Sequence, residues 1–383
     1  MGKSYCLFAA NYLPNLGGVE RYVYNLAKQL IAKGNSVTVV TSNVFKIASK
    51  EVLEGIEVYR MPCFNVLRGR FPVVKKNAEF KRLHKELLQK KFDIVVLNTK
   101  YCLHSLYGAK YAEKIGAKCI EIEHGTDHFT VNNKFLDFAG EVYEHWITSR
   151  IKAHCKNFYG VSEACNEWLA HFKIKAKGCM YNAVNVEEIK ALTDNAVCDY
   201  RKEYGIPDDA VVITYTGRLV KEKGIEKLVN AFARLRKTEN AYLFVAGSGD
   251  MFDEISARNQ EGVIMLGKID FEHIAALLKS TDVFCLPTDF PEGFPTSVLE
   301  AAAAGCFVVT TTSGGSKELI INDDYGIIMK RNDEEEIYES ILKPVKDGAY
   351  RKLAVENSYK RLCDNFTWDK TSDKLIHILE KEI

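Results

Sequence analysis

Short apolar runs alternate with stretches of helical period along most of the chain, which predicts parallel sheets covered by helices. The runs form two series. The first opens with Tyr5-Cys6-Leu7-Phe8-Ala9 and passes through a loop ending in Gly17-Gly18. It continues as a helix over Val19 to Lys33, stopped by Gly34, and returns as a strand over Ser36 to Thr41. Further strands are predicted at Ile94 to Leu97 and Lys118 to Ile122. The second series opens with Val211 to Tyr215, a loop to Gly224, a helix through Arg236 and a strand over Tyr242 to Ala246. Strands at Val263 to Leu266, Val283 to Leu286 and Phe307 to Thr310 follow. The polar, weakly periodic stretch from Tyr181 to Pro207 reads as the hinge between the two series.

With 383 residues, the chain exceeds the size at which one core usually keeps growing, and two domains are expected. A composition of 47% hydrophobic and 27% charged residues with a formal charge of +1 excludes a disordered chain and argues against a nucleic-acid binder. Eleven cysteines, odd in number and without a CxxC pair, fit reduced, packed thiols and a cytoplasmic location. The N-terminal residues run into a strand without the pattern of a signal peptide, and no apolar stretch is long enough to span a bilayer.

In doubly wound sheets, ligands bind beyond the carboxyl ends of the strands, so chemistry is sought in the loops there. The most informative of them is Pro291-Glu292-Gly293-Phe294-Pro295-Thr296-Ser297-Val298-Leu299-Glu300-Ala301. Glu292 falls before a predicted helix, Thr296 or Ser297 is placed to cap it, and Glu300 lies about one turn in. Helix amides flanked by two carboxylates suit a sugar nucleotide: the amides receive a phosphate, and each carboxylate accepts hydroxyls, on a ribose and on a transferable sugar. An ordinary capped helix with two solvated acids is the plainer reading.

Gly217-Arg218-Leu219-Val220-Lys221-Glu222-Lys223-Gly224 joins a strand to a helix. Arg218 offers a planar fork and Lys223 a point charge, together suited to a diphosphate whose negative charge grows as it departs; the plainer reading makes them solvated loop cations, as Lys221 is expected to be. Gly17-Gly18 lets backbone approach a phosphate or sugar closely, or simply makes a turn, with Glu20-Arg21 behind it read as a surface pair. Glu123-His124-Gly125 places His124 beyond another strand, although an isolated histidine is more often structural. Gly314-Gly315 with Glu318 repeats the pattern of small residues opening a helix. No Asp-x-Asp occurs and no His/Cys group has metal-ligand spacing, so cationic side chains and helix amides are expected to replace a divalent ion. Gly247-Ser248-Gly249 has neither hydrolase-elbow nor dinucleotide-fingerprint spacing. Residues 68–91 are rich in Arg and Lys. A helix there would gather Phe80, Leu83, Leu87 and Leu88 on one face, either to lie on anionic lipid or to pack on its own sheet.

Taken together, these segments resemble the family 4 retaining glycosyltransferases over nearly the whole chain. The matching segments are Gly17-Gly18-Val19-Glu20, His124-Gly125, Val161-Ser162, Tyr181-Asn182-Ala183-Val184-Asn185, Gly217-Arg218 with Lys223-Gly224, Ala246-Gly247-Ser248-Gly249 and Glu292-Gly293-Phe294 with Glu300. Phe366-Thr367-Trp368 resembles the element from which the last helix returns to the first domain. The resemblance implies an α/β GT-B fold of two Rossmann-like domains facing a cleft. Residues 1–185 with the terminal helix 366–383 would form the acceptor side, and residues 186–365 the nucleotide-sugar side. It implies that Arg218 and Lys223 hold the diphosphate, Glu300 the ribose and Glu292 the donor sugar, with the Gly293 and Phe294 amides nearby. Pro295, Thr296 and Gly247 would lie around the donor, His124 would touch its sugar, and Gly17 and Gly18 would lie by the phosphate or acceptor. Cys306-Phe307 and Pro295 depart from the usual pattern without touching a charge contact.

The reaction so implied transfers a hexosyl or N-acetylhexosaminyl group, with retention, from a UDP-sugar or GDP-sugar to a growing surface glycan. Capsule or lipopolysaccharide on a lipid carrier at the inner face of the membrane fits that role. No metal cofactor and no nucleic-acid partner are expected. Two alternatives are a sugar-nucleotide epimerase on the same scaffold and a non-catalytic partner subunit.

Overall fold

The computed structural model describes residues 2–15, 17–66, 69–130 and 133–383. The chain divides into two compact units, residues 1–182 with 368–383, and residues 183–367. Each is built on a mostly or wholly parallel sheet. No helix among the described residues is long and apolar enough to cross a membrane.

In the first unit seven strands lie in the order Lys50–Leu53, Ile56–Met61, Ser36–Ser42, Ser4–Phe8, Ile94–Asn98, Lys118–Glu123 and Asn157–Gly160. Only the first pair is antiparallel. The central strands are buried on both faces because helices cover both sides, which explains their apolar runs, Tyr5-Cys6-Leu7-Phe8 and Ile94-Val95-Val96-Leu97. A separate antiparallel pair joins Cys63–Val66 to Phe71–Val74. The second unit carries six parallel strands ordered Val263–Gly267, Ala241–Ala246, Val211–Thr216, Val283–Leu286, Phe307–Thr311 and Ile327–Met329. Strand order reverses beside Ser4–Phe8 in one unit and beside Val211–Thr216 in the other, and doubly wound sheets bind ligands at such switch points.

Several expectations need correction. The division between the units falls at Asn182 and Ala183, inside the stretch from Tyr181 to Pro207, but the rest of that stretch is not irregular: it carries the helices Val186–Asp194 and Tyr200–Glu203. Asn185 caps the former and Asp199 the latter, and Ile189 and Tyr200 are buried. The stretch reads as weakly periodic because each helix spends only one or two residues on the core. The strands at Ile56–Met61, Asn157–Gly160 and Ile327–Met329 add to the predicted sets.

The basic segment also resolves. Arg68 lies outside the described residues. In the helix Ala78–Leu87, Phe80, Leu83 and Leu87 are buried in the first unit's core, and Leu88 packs partly against it. The apolar stripe therefore faces its own sheet. Lys81, Arg82 and Lys85 remain exposed, with Arg82 paired to Glu86. A different helix, Lys134–His154, exposes the apolar side: Phe135, Phe138, Val142 and Trp146 are 79%, 66%, 56% and 53% accessible.

The terminal helix Trp368–His377 belongs to the first unit. Trp368 packs edge-to-face on Tyr22 at 5.2 Å, and Lys33 bonds Asp369 and Asp373, so the chain end is tied to the helix Gly18–Ala32.

Candidate active site

In the second unit the strand Val211–Thr216 delivers the chain to Gly217 and Arg218, and the strand Val283–Leu286 on the other side of the switch point delivers Phe290 and Glu292. The Arg218 loop is laced to its neighbour by backbone bonds: Gly217 N to Ala246 O at 3.0 Å, Leu219 N to Ser248 O at 2.9 Å, and Met251 N to Leu219 O at 3.0 Å. Gly247, with φ of +151°, makes that lacing possible, since a Cβ there would lie 1.8 Å from Gly217 O. Tyr215 adds a bond from its hydroxyl to Arg218 O at 2.8 Å. Burial pushes this phenol up, so it donates as a neutral group.

Leu219 is fully buried while Arg218 is exposed, so the loop turns its one guanidinium outward from a fixed backbone. A 3₁₀ turn over Lys221–Lys223 then brings Lys223 back toward the second loop, and Gly224 opens the helix Ile225–Leu235. Lys223 pairs with Glu292, both largely buried. The Phe290 ring is close to both cations, its centroid 4.8 Å from the Arg218 guanidinium carbon and 5.4 Å from Lys223 Nζ. Its π face holds both positive groups without neutralising them.

The Glu292 segment is held from the adjacent strand. Ser313 Oγ donates to Phe290 O at 2.6 Å, the Glu292 amide donates to Ser313 Oγ at 3.4 Å, and Gly315 N bonds Gly293 O at 3.0 Å. Gly314 and Gly315 thus pack under the Glu292-Gly293 backbone rather than opening a long helix; the helix that follows spans only Ser316–Leu319. Phe294 is buried and meets Phe366 edge-to-face at 5.3 Å. Pro295, not Thr296, occupies the N-cap of the helix Thr296–Ala303, which has no side-chain cap among the described residues. Proline already carries the required φ, −60° here, and has no N–H to satisfy. The amides of Thr296 and Ser297 stand in the first turn, with Glu300 half-buried one turn on. The structure thus brings Arg218, Lys223, Phe290 and Glu292 together, with two cations and helix amides around one switch point. That set can bind a diphosphate and orient a hydroxylated group beside it.

The first unit assembles its own cluster. Gly17 is the N-cap of the helix Gly18–Ala32, and no described atom lies within 4 Å of the Cβ a side chain would add at Gly18, so backbone is accessible there. Glu20 is not a surface residue: it is 8% exposed and accepts from Asn15 Nδ2 at 2.8 Å, bracing the loop ahead of the helix. His124 lies 4.7 Å from the Tyr22 ring, edge-to-face. Asn98 Nδ2 donates to Phe8 O, which turns Asn98 Oδ1 toward His124 Nε2 at 3.1 Å. Nε2 must then carry the proton, and Nδ1 the lone pair. Burial lowers the His124 pKa to about 4, so the ring is neutral near pH 7. Behind it, Glu123 Oε1 accepts the amides of His124 and Gly125 at 3.1 and 2.9 Å.

Sequence reasoning missed Phe290, Ser313, Asn98 and Tyr22. Each acts through a neighbour from another strand, and no local spacing announces it.

Two parallel-sheet domains of Rossmann type with a terminal helix returned to the first define the GT-B class of glycosyltransferase fold. Residues 16–188 match the profile of Glycosyltransferase Family 4, and residues 198–361 that of the Glycosyl transferases group 1. These leave only the two ends and a short link uncovered, and the chain belongs to the group 1 glycosyltransferases. It is 26% identical to an uncharacterized glycosyltransferase, MJ1069, of Methanocaldococcus jannaschii, over 98% of this chain and 97% of that one. It is also 26% identical to the phosphatidylinositol N-acetylglucosaminyltransferase GPI3 subunit of Saccharomyces cerevisiae, over 80% of this chain and 68% of that one. Among solved structures, Anabaena Alr3699/HepE in complex with UDP and glucose superposes with a TM-score of 0.71 at 14% identity, over 98% and 99% of the two chains.

Proposed function

We propose that this glycosyltransferase moves a hexosyl or N-acetylhexosaminyl group from a nucleoside-diphosphate sugar, UDP before GDP, to a hydroxyl of a lipid-linked glycan, with retention at the anomeric carbon. The observation that carries the reading is the convergence of Arg218, Lys223 and Glu292 on the switch point of the second sheet. The two cations receive the diphosphate, Glu300 the ribose hydroxyls and Glu292 the sugar hydroxyls. As the acceptor oxygen bonds to the anomeric carbon, the bond from that carbon to the β-phosphate oxygen breaks on the same face. The acceptor proton passes to a phosphate oxygen of the departing diphosphate. Arg218 and Lys223 then stabilise the charge that grows there without a divalent ion. Neutral His124 offers Nδ1 as an acceptor for a sugar hydroxyl.

The UDP preference draws on the Anabaena neighbour, and the N-acetylhexosamine and lipid acceptor on the yeast relative. An approach to lipid fits the exposed face of Phe135, Phe138, Val142 and Trp146, flanked by Lys134 and Arg150, better than it fits the helix Ala78–Leu87. The test is a panel of UDP- and GDP-sugars with polyprenyl-linked and phosphatidylinositol acceptors, followed by NMR of the product. Transfer from a UDP-sugar with the anomeric configuration preserved is the expected result. An inverted product overturns the mechanism, and epimerised donor without any acceptor overturns the reaction class.

A further inference from the structure

We infer that His128, His145 and His171 form a binding site for one divalent transition-metal ion of the zinc class, apart from the residues assigned to glycosyl transfer. The three come from the loop after the strand Lys118–Glu123, from the helix Lys134–His154 and from the end of the helix Glu163–His171. One ring nitrogen from each lies within 4.8 Å of the other two. The Nε2 atoms of His145 and His171 are 3.2 Å apart. Two imidazole nitrogens sharing a tetrahedral zinc at its usual bond length stand about 3.4 Å apart, so these rings need hardly move to bind.

The third imidazole is held in one tautomer. His128 Nδ1 donates to Glu144 Oε2 at 2.6 Å, which leaves Nε2 to offer a lone pair. A carboxylate behind a ligating imidazole is the arrangement that fixes the tautomer and raises its basicity. Glu144 is itself anchored, since the buried Lys100 ammonium lies 2.7 Å from its other oxygen. Aromatic packing sets the remaining rings. Trp168 stacks on His171 at 4.9 Å and 7°, Phe172 lies 4.7 Å from His145, and Trp168 meets His128 edge-to-face at 4.8 Å. Three neutral imidazoles without a thiolate or a carboxylate in the set favour Zn²⁺, Co²⁺ or Ni²⁺ over Mg²⁺ or Ca²⁺. The two exposed rings leave a fourth position open to water.

An ion here joins a loop to two helices. Lys100 also reaches Glu123 Oε2 at 3.3 Å, and Glu123 holds the amides of His124 and Gly125, so the clamp continues by charge and hydrogen bonds into the loop that carries His124. The ion's role is to hold that loop, and it takes no part in the transfer step.

The test uses the full chain, stripped with chelator and titrated with zinc chloride. One equivalent should bind, and unfolding should shift upward by about 5 to 10 °C at a hundredfold excess over Kd. Magnesium chloride should give no shift. His145 and His171 are exposed, so His145→Ala, His171→Ala and the variant combining them should fold as the parent does without metal while binding zinc at least roughly tenfold more weakly. The eleven cysteines are the competing ligands, and cobalt separates the cases: d–d bands without thiolate charge transfer are expected. Failure to take up zinc, an undiminished shift in the combined variant, or a thiolate spectrum each overturns the assignment. None of these readouts involves sugar transfer, so they stand or fall independently of the proposed reaction.

Discussion

Lys223 and Glu292 are ion-paired across the switch point of the second sheet, with side chains only 12% and 17% exposed. The pair holds the ammonium beside Phe290, whose ring also lies close to Arg218. In the proposed reaction, a diphosphate entering beside them would give Lys223 a second anionic partner, and Glu292 would turn to sugar hydroxyls. On that proposal, binding and orientation of the donor are coupled through one contact.

Truncating the cations tests that coupling. Arg218→Ala and Lys223→Ala should each lower kcat by about 10²- to 10³-fold, a loss of roughly 3 to 4 kcal/mol in transition-state stabilisation. Arg218 is exposed, so its variant should keep the parent unfolding temperature. Glu300→Ala should act mainly on donor KM, since the ribose contact proposed for it would serve ground and transition states alike. Initial rates against donor concentration separate the two behaviours, and near-parent rates in all three variants would remove these residues from the site.

Gly247→Ala tests whether the Arg218 loop owes its position to backbone lacing. The added methyl meets Gly217 O at 1.8 Å, a contact that neither main chain can yield without breaking the bonds at Ala246 or Ser248. A stability loss of about 2 to 4 kcal/mol is expected, with a drop in kcat comparable to that of Arg218→Ala. Thermal unfolding and single-turnover rates measure the two effects.

The alternation of apolar runs and helices carried the fold. The short β-branched run Val211-Val212-Ile213, bounded by loop residues, marks a buried strand, and the position of Arg218 beyond its end followed. What stayed hidden depends on contacts distant in sequence. Phe290 gains its meaning from cations 72 and 67 positions earlier, as the numbering of Arg218 and Lys223 shows. The same holds for His128, His145 and His171: a search for local ligand spacing passes over rings that tertiary packing brings together from one loop and two helices. Thr296 misled because a hydroxyl near a helix start signals a cap, whereas Pro295 already set the entry. Phe80, Leu83 and Leu87 form a stripe that pattern alone assigns equally to lipid or core, and only burial decides it.

His124 makes a prediction about pH. With its pKa lowered to about 4 by burial, the ring stays neutral across the physiological range, so the rate should show no ionisation near 6.5 from this residue. Asn98→Asp places a carboxylate where the amide oxygen accepts from Nε2. That charge favours imidazolium, so His124 should titrate at higher pH and a new acidic limb should appear in the pH–rate profile. NMR titration of the ring in parent and variant checks the assignment directly.

Glu121 supplies a pH effect on stability rather than rate. It is fully buried in the strand Lys118–Glu123, and neither carboxyl oxygen has a hydrogen-bond partner among the described residues. Burial first, then repulsion from Glu123, raises its pKa well above the ordinary carboxylate range against the opposing pull of Lys100. The folded protein therefore keeps the proton while the unfolded chain releases it. Below about pH 4, both states are protonated and no penalty exists; above it, the unfolded chain ionises alone and stability falls, by roughly 1.4 kcal/mol per pH unit until the native pKa is reached. Glu121→Gln removes the ionisation from both states. Its unfolding temperature relative to the parent should rise between pH 4 and pH 8, and a difference that stays constant with pH would show that Glu121 is ionised in the native state.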